Sequence, residues 1–576
     1  MSWYSAPRRR NKTRPTLAAL ASYTALAVFL SVFLILGLFN RVELPYKKKR
    51  PQYNFPDFDR INTLTRVLTR DHVDLRDLHG RIIFIGDVHG MNDSLHRLLK
   101  QLDYDPSHDT IFFAGDLLAK SSHSSSLSVL SFLTEHHMRN GVERMFPVRG
   151  NHDQMIVQWR AWRAWFEGLT LDPHAASQTP RFLPSTRLIA FDCHLSSFLK
   201  QFFTQSAADA SDSVPPVSTG REFLQLLEAE WAIARAEDGA DPEEYTDVAR
   251  KRAQGTWRAE WWKRIPLPGK GREKQQWRMF GDHYWLARDM TQEQADYLMS
   301  LPLVLHVPHI HFFVVHAGLL PSDPRLPPTD RNQPLAHAPA FTRRVFGGAD
   351  EGDTVLLSRL QAHLLPQESA KNSFAAFKPS RDSDTSAIED LRRLQEAAIL
   401  SDIPQNRDPW VVLNMRSVTK KKHKVTREGD KGTPWSKLWN EEMNACKGYD
   451  VEAATRSEPR GYELPCHPAT VVYGHAATRG LDIKRWSMGL DTGCLYGRKL
   501  TALVLNNSTD SGVDDVWDNE DDWDEDEDED DDEEDDDDEE AIPRPRRKRL
   551  QFGDPGSRVN AKIVSVKCPN IDDDDD

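Results

Sequence analysis

Five short apolar runs, each followed at once by glycine or histidine, set the pattern of this chain. They cover residues 81–85, 110–114, 144–149, 311–315 and 470–473. Apolar runs of this length are typical of strands in a sheet that is covered on both faces. The carboxyl ends of parallel strands meet at one edge, where open α/β sheets bind their ligands. The pattern therefore predicts an α/β protein whose functional groups converge at one sheet edge.

The residues that follow these runs carry carboxylate, amide and imidazole groups. They form five motifs: Gly86-Asp87-Val88-His89-Gly90, Gly115-Asp116, Gly150-Asn151-His152-Asp153, His316-Ala317-Gly318 and Gly474-His475. Oxygen and imidazole ligands of this kind suit divalent metals such as zinc, manganese and iron. A two-metal hydrolytic site holds its ions about 3.5–4 Å apart. Any one motif could be an ordinary turn, but the five together predict such a site.

These motifs resemble those of the calcineurin-like metallophosphoesterases, and more narrowly of their phosphoprotein-phosphatase and bis-nucleosyl-tetraphosphatase branch. The resemblance extends to Arg149 before the third motif, to Leu319 after the fourth, and to Gly489-Leu490-Asp491-Thr492-Gly493-Cys494. It covers roughly residues 80–505. It implies a four-layer αββα sandwich with large helical and loop insertions, which in this chain are 154–308 and 323–468.

The resemblance also implies a role for each residue of the site. Six residues would hold two divalent metal ions: Asp87 and His89 the first, Asn151, His316 and His475 the second, and Asp116 both. Zinc is the first expectation, with manganese, cobalt or iron as alternatives. His152 would give a proton to the leaving oxygen, and Asp153 would orient His152.

One position departs from the protein phosphatases of this branch. They carry Asp-Arg-Gly shortly after the bridging aspartate, whereas this chain has Lys120 in the arginine slot. Arginine grips a phosphate with a planar fork, while lysine is a mobile point charge. Lys120 therefore favours repeated, pliable phosphate contacts over a phosphoserine protein.

Further basic residues are candidates for substrate contact. Tetraphosphatases of the branch carry a Pro-Trp … Arg … Lys-Gly … Pro-Trp segment over the active site, and residues 408–435 match it. A lysine cluster lies within this segment, although a basic run is otherwise an ordinary solvated loop. The substrate-binding candidates are Lys120, Arg149, Arg416, Lys420, Lys421, Lys422 and Lys424.

The first insertion is rich in tryptophan. At Trp159, Trp162 and Trp165 the spacing is helical, which predicts the inner face of a cap domain. A platform for stacking nucleic-acid bases is the alternative.

The amino-terminal region predicts a membrane anchor. Residues 17–39 form an uncharged apolar run of about 23 residues, long enough to span a bilayer as one helix. A cleavable signal peptide would have a shorter apolar region. Residues 1–16 would be a cytosolic tail and 40–80 a linker. The catalytic domain, 81–505, would then lie on the lumenal side of a single-pass type II protein.

The net charge of −14 is dominated by the carboxyl-terminal region. Residues 514–540 carry about 23 carboxylates and residues 572–576 carry five. Such runs repel themselves and have little to bury, so we expect residues 506–576 to form a disordered tail. The five cysteines show no zinc-binding spacing. Cys446 and Cys466 could pair in a lumenal compartment or could simply be buried. Asn506 and Asn507 lie in glycosylation sequons.

An anchored, tetraphosphatase-like metallophosphoesterase with an acidic tail resembles the fungal vacuolar endopolyphosphatase family. This resemblance implies hydrolysis of internal phosphoanhydride bonds of inorganic polyphosphate in the vacuole, with no nucleic-acid partner. A bis(5'-nucleosyl)-tetraphosphatase and a lumenal serine/threonine protein phosphatase are alternatives with the same chemistry. A catalytically silent membrane receptor is the alternative from another class.

Overall fold

The computed structural model describes residues 56–73, 80–139, 141–171, 217–265, 278–339, 383–449, 462–507, 550–554 and 559–570. The predicted anchor at 17–39 and the acidic run at 514–540 lie outside these residues. Within the described residues, no helix combines the length and the apolar character needed to cross a membrane. The chain divides into two compact units, 1–57 and 58–576, and all the motifs above lie in the second.

Two mixed sheets form the centre of this second unit, and two smaller sheets accompany them. The strands are β1 (Thr65–Val67), β2 (Ile82–Ile85), β3 (Thr110–Phe113), β4 (Met138–Arg139), β5 (Val142–Glu143), β6 (Met145–Pro147), β7 (Val304–Val307), β8 (Phe312–Val315), β9 (Ser417–Val418), β10 (Val425–Thr426), β11 (Thr433–Pro434), β12 (Thr470–Tyr473), β13 (Asp482–Ile483), β14 (Ser487–Gly489), β15 (Lys499–Asn507) and β16 (Val559–Lys567). The six-stranded sheet has the order β1-β7-β8-β12-β14-β13, and the five-stranded sheet has the order β16-β15-β2-β3-β6. The five strands predicted from the apolar runs are confirmed as β2, β3, β6, β8 and β12.

Helices cover the outer faces of these sheets and fill the insertions. They are α1 (Asn92–Gln101), α2 (His123–His136), α3 (Asn151–Glu167), α4 (Gly220–Asp238), α5 (Pro242–Arg252), α6 (Arg258–Trp262), α7 (Asp282–Asp289), α8 (Gln292–Ser300), α9 (Ser383–Ser401), α10 (Pro409–Asn414) and α11 (Trp435–Ala445). Helices α4 to α8 belong to the first insertion, and α9 to α11 belong to the second.

The alternation of side chains along each strand explains the layered packing. In β2, Phe84 faces the other large sheet and meets Phe312 of β8, with ring centroids 5.3 Å apart. Its neighbours Ile83 and Ile85 point the opposite way, into a core shared with α1, α2 and α3. Successive side chains of a strand lie on opposite faces, so an uninterrupted apolar strand joins two cores. The second sheet does the same, with α9, α10 and α11 on its outer face. The predicted α/β class is confirmed, and the layers run helix, sheet, sheet, helix.

The tryptophan-rich insertion packs as a core. Trp162 and Trp261 are fully buried, and Trp162 stacks on Phe166 with the ring centroids 4.9 Å apart. Trp159 meets Tyr284 edge to face. These rings are buried against one another, as expected for an inner face and not for an exposed stacking platform.

Two predicted boundaries were wrong. Residues 65–67 lie in the predicted linker but form β1, which pairs with β7 in the six-stranded sheet. Residues 559–567 lie in the predicted tail but form β16, which pairs with β15 over nine residues. In the sequence, the acidic run therefore lies between two strands that are neighbours in one sheet. The sequons also lie differently than expected, because Asn506 and Asn507 are strand residues of β15.

Two disulfides join distant parts of the chain. The Cys446–Cys466 bridge, one of two possibilities in the sequence, is confirmed. The second bridge, Cys494–Cys568, links the loop after β14 to the residue that follows β16.

Candidate metal centre

The predicted metal ligands all lie at the carboxyl ends of strands. Asp87 follows β2, Asp116 follows β3, and Asn151 follows β6 in the five-stranded sheet. His316 follows β8 and His475 follows β12 in the facing sheet. Because β2, β3 and β6 are parallel, and β8 and β12 are parallel, each sheet gathers its ligands at one edge. The site lies where these two edges meet.

The backbone at this site is unusual. His89, Asp116 and His475 all have positive φ angles, of 47°, 47° and 66°. Such conformations cost about 1–3 kcal/mol each and persist only where the surroundings enforce them. Two of these residues are joined directly, because the backbone N–H of His89 donates to the carbonyl of Asp116 at 2.8 Å.

One group of ligand atoms surrounds Nε2 of His316. Asn151 Oδ1 lies 3.0 Å from it, His475 Nδ1 3.1 Å and Asp116 Oδ2 3.3 Å. Nδ1–H of His316 donates to the carbonyl of Ala114 at 2.9 Å, which leaves Nε2 as the ligand atom. Four lone-pair donors therefore converge, as a bound cation requires.

A second group contains Asp87, His89 and Asp116, whose ligand atoms lie within 4.8 Å of one another. The ligand atoms of Asp116, His316 and His475 also lie within 4.8 Å of one another. A single carboxylate thus belongs to both groups. That is the arrangement a bridging ligand between two metal ions needs.

The site contains buried carboxylates whose negative charge needs compensation. Burial raises the pKa of Asp87 well above its usual value, and the nearby Asp491 and Asp116 raise it further. The pKa of Asp116 lies well below its usual value, because His316, His152 and His89 outweigh the cost of its burial. Three buried carboxylates in contact are costly unless cations compensate them.

Two imidazole nitrogens in this centre are buried without a hydrogen-bond partner. They are Nδ1 of His89 and Nε2 of His475. Burial lowers the pKa of both rings, so they are neutral and able to donate lone pairs. The donor set fits two divalent cations, although it does not select one metal over another.

His152 lies beside the ligands, but its partner is not the one predicted. Its Nδ1 lies 2.9 Å from Nε2 of His283. The carboxylate of Asp153 instead accepts backbone N–H groups from Leu117, Leu118 and Gly150. Asp153 therefore braces the loop that carries Asp116, and its predicted role in orienting His152 was wrong.

Of the predicted substrate contacts, Lys120 and Arg416 lie beside the site. The positive charge of Lys120 contributes to lowering the pKa of His89 and His152. Nη2 of Arg416 donates to the carbonyl of His475 at 3.0 Å. Lys420, Lys421, Lys422 and Lys424 are exposed on the turn between β9 and β10. Arg416 directly precedes β9, so this lysine turn begins about four residues from the site.

Arg149 does not face the site. It is fully buried, and its guanidinium donates to Gln154 Oε1 at 2.7 Å and to the carbonyls of Met299 and Leu301 at 2.6 and 3.1 Å. These partners occupy both terminal nitrogens of a side chain that has no exposed surface, so the predicted substrate contact of Arg149 was wrong.

Three residues at the site had no role assigned from the sequence. Asp491, which follows β14 in the Gly489–Gly493 motif, is buried beside Asp87. Its place after a parallel strand was a signal for this position. His283 and Asp282 come from the first insertion, where no motif pointed to them.

Comparisons with known proteins agree with this geometry. Residues 80–213 match the family model described as calcineurin-like phosphoesterase. The symmetrical bis(5'-nucleosyl)-tetraphosphatase of Yersinia enterocolitica is 45% identical over 73 residues, which cover 13% of this chain and 23% of that protein. Serine/threonine-protein phosphatase 1 of Salmonella typhimurium is 33% identical over 114 residues, covering 18% of this chain and 48% of that protein.

A crystal structure provisionally described as a diadenosine tetraphosphatase aligns with 77% of this chain and 93% of its own, at 16% identity and a TM-score of 0.30. A score this low supports no conclusion. Residues 80–213 are thus similar to calcineurin-like phosphoesterases, and shorter segments of the chain are similar to these two bacterial phosphatases. The matched segments span less than half the length of either bacterial relative.

Proposed function

We propose that this chain is a metal-dependent hydrolase of phosphoric esters or anhydrides. The observation that carries this proposal is the position of Asp116, which belongs to both groups of ligand atoms. Asp87, His89, Asn151, His316 and His475 would hold two divalent cations around it. When bound, such ions supply a water activated at neutral pH and neutralise charge on the phosphoryl oxygens.

The remaining side chains have separate tasks. His152 would give its proton to the leaving oxygen as the bond from phosphorus to that oxygen breaks. Asp153 holds the loop of Asp116 through the backbone N–H groups of Leu117 and Leu118, so the centre is positioned before substrate arrives. Lys120 and Arg416 add positive charge at the rim, where a phosphorylated substrate approaches.

The finer proposal is that the substrate is inorganic polyphosphate, cut at internal bonds. Lys120 and the exposed lysine turn at 420–424 support it, because mobile point charges suit a repeating polyanion. A chain that continues past Arg416 along this turn would have phosphate on both sides of the cut bond. A tetraphosphatase is the second candidate, favoured by the similarity to the Yersinia protein.

One panel of substrates separates these candidates. The metal-loaded full-length protein is given long polyphosphate, diadenosine tetraphosphate and a phosphopeptide. We expect gels to show long polyphosphate shortened to intermediate lengths before free phosphate accumulates. Efficient cleavage of diadenosine tetraphosphate, with polyphosphate left intact, would favour the second candidate.

A set of lysine variants tests the substrate contact. Replacing Lys420, Lys421, Lys422 and Lys424 together by glutamine should raise KM for long polyphosphate and flatten its salt dependence. Replacing the exposed Lys437 on α11 is the matched control. An unchanged KM would remove the lysine turn from the substrate path.

We further propose that the catalytic domain lies in the lumen of the vacuole, anchored by residues 17–39. The two disulfides support an oxidising compartment, since such bonds are rare in the cytosol. The vacuole itself is proposed on the resemblance to the endopolyphosphatase family.

A further inference from the structure

The first turn of α7 reaches from the insertion into the metal centre. Nε2 of His283 lies 2.9 Å from Nδ1 of His152, and the two rings stack with their centroids 5.1 Å apart. On its other side, Nδ1 of His283 lies 2.5 Å from Oδ1 of Asp282. Three side chains therefore form a continuous line: Asp282, His283, His152.

Asp282 is fixed in place by more than this line. Its Oδ2 accepts the backbone N–H of Lys120 at 2.9 Å. Ala119 and Lys120 have φ angles of 74° and 75°, a backbone conformation that non-glycine residues rarely adopt. The hydrogen bond from Lys120 to Asp282 stabilises this turn. Although burial opposes it, the contacts with His283 and with this N–H hold the pKa of Asp282 well below its usual value.

The line has a direction that follows from hydrogen-bond chemistry. An ionised carboxylate only accepts, so Nδ1 of His283 must donate to Asp282. One proton lies between His283 and His152, and it can sit on either facing nitrogen. When it sits on Nε2 of His283, the proton of His152 is on its far nitrogen, Nε2, where a leaving oxygen would meet it.

We propose that His283 and Asp282 form a proton relay behind His152. The inference rests on the proposed function, in which His152 protonates the leaving group. As that step occurs, the N–H bond at Nε2 of His152 breaks and the leaving oxygen gains an O–H bond. His283 begins this step with a proton on both ring nitrogens, so it is a cation paired with the carboxylate of Asp282. Nδ1 of His152 takes the proton from Nε2 of His283, which ends neutral with Nδ1–H still donated to Asp282. His283 and Asp282 are thus positioning residues that act through His152 and keep its ring from becoming an anion.

In this relay, the first insertion contributes two residues to the active site, both from the first turn of α7. His283 is buried, and α7 packs against α3, which begins at Asn151 and carries His152. Arg160 of α3 donates to the carbonyl of Ala287 in α7 at 2.9 Å. The relay would therefore be held at fixed spacing from the ligands by two packed helices.

The test compares full-length, metal-loaded variants on whichever substrate of the panel the wild type turns over fastest. His283→Gln keeps a hydrogen-bonding group of similar length but has no proton to pass. We expect kcat to fall about 10²-fold, at the low end of general acid–base effects, with KM and metal content unchanged. The dependence of kcat on the deuterium fraction of the solvent should be curved in the wild type and straight in this variant, because one proton instead of two then moves.

A double-mutant cycle excludes a merely structural role. Adding His283→Gln to His152→Ala should cost no further activity, because the relay acts only through His152. His123→Gln is the matched control: His123 pairs with Asp289, at the other end of α7, at 3.1 Å, and its loss should leave kcat unchanged. Multiplying losses in the double variant, or full activity of His283→Gln, would overturn the relay while leaving the hydrolase in place. A metal-loaded wild type that turns over no member of the panel would overturn the proposed function and the relay with it.

Discussion

Gly150 and Asp116 approach so closely that no side chain fits between them. A Cβ built on Gly150 would lie 2.1 Å from the backbone nitrogen of Asp116 and 2.2 Å from its Oδ1. Gly150 is therefore required by contact with the shared carboxylate, since its own φ of −87° suits any residue.

Gly150→Ala should abolish metal binding. The added methyl group meets backbone and a buried carboxylate, so Asp116 must move away from His89 and His316. Elemental analysis of the purified variant should find less than the wild-type metal content, and turnover should be lost. Gly168→Ala, at the far end of α3, is the control, because its Cβ would meet only ordinary contacts at 3.5 Å. A fully loaded Gly150→Ala protein would contradict the close packing described here.

Asp116→Asn and His152→Ala should fail in different ways. The first removes charge from both groups of ligand atoms, so metal content and turnover should fall together. The second leaves every proposed ligand in place, so metal content should hold while kcat falls by roughly 10²–10⁴. Metal analysis alongside kinetics distinguishes the two, and an active, metal-loaded Asp116→Asn would refute the site assignment.

Arg149→Met should lower stability and leave substrate binding unchanged. The substitution strands the buried carbonyls of Met299 and Leu301, and each unsatisfied group costs about 1–3 kcal/mol. We expect urea unfolding to report a loss of about 2–6 kcal/mol, with KM unaltered in the folded fraction. Arg139→Met, on the exposed hairpin of β4 and β5, should change stability by under about 0.5 kcal/mol. A raised KM with unaltered stability would restore Arg149 as a substrate contact.

The buried pairing of Glu396 with two histidines should contribute most to the free energy of unfolding in mild acid. Glu396 is buried between His306 and His311, at 2.7 and 2.8 Å. Burial opposes it, but hydrogen bonds from these rings lower the pKa of Glu396 to about 2. Glu389 and Glu396 raise the pKa of His311 above 6.5 despite its burial.

The two shifts bound the pH window. The contribution of Glu396 is present above its ordinary value of 4.5 and is lost as pH falls towards 2. The contribution of His311 is complete below 6.5 and is lost as pH rises through its raised folded pKa. Both therefore act fully between about 4.5 and 6.5. The loss of unfolding free energy caused by Glu396→Gln, measured in urea, should therefore be greatest in this range, whereas the exposed Glu135→Gln should cause no such loss. A loss from Glu396→Gln that does not vary with pH would count against this pairing.

Sealed vesicles test the proposed topology. We expect added protease to leave the catalytic domain intact until detergent opens the membrane, because residues 17–39 would place it inside. Immunoblotting against the domain, with a cytosolic marker protein as control, follows its digestion. Rapid loss of the domain in intact vesicles would exclude a lumenal location.

The sequence was informative wherever function requires a residue type directly after a strand. Asp87, Asp116, Asn151, His316 and His475 could be found because each follows a predicted strand, although the structure divides those strands between two sheets. The hydrogen-bond partners of His152 and Asp153 could not be predicted, because they come from residues that only the folded chain brings close. His283 comes from 131 residues further along the chain, and its helix looks like any other amphipathic segment.

Strand β16 escaped prediction for a different reason. Acidic residues dominate the region between β15 and β16, and their composition indicates a tail however the chain continues. The strand itself is an edge strand with mixed exposure, so its apolar pattern is weak. It forms a strand because it pairs with β15, which ends more than fifty residues earlier in the sequence.

The Cys494–Cys568 disulfide changes what a protease could do to this protein. A cut anywhere between β15 and β16 would produce two polypeptides, yet the shorter one would stay bonded to the loop that carries Asp491 and would remain paired along β15. Such a nicked form would migrate as one species without reducing agent and as two with it. Two cuts that remove the acidic run would therefore leave the edge strand joined to the rest of the domain.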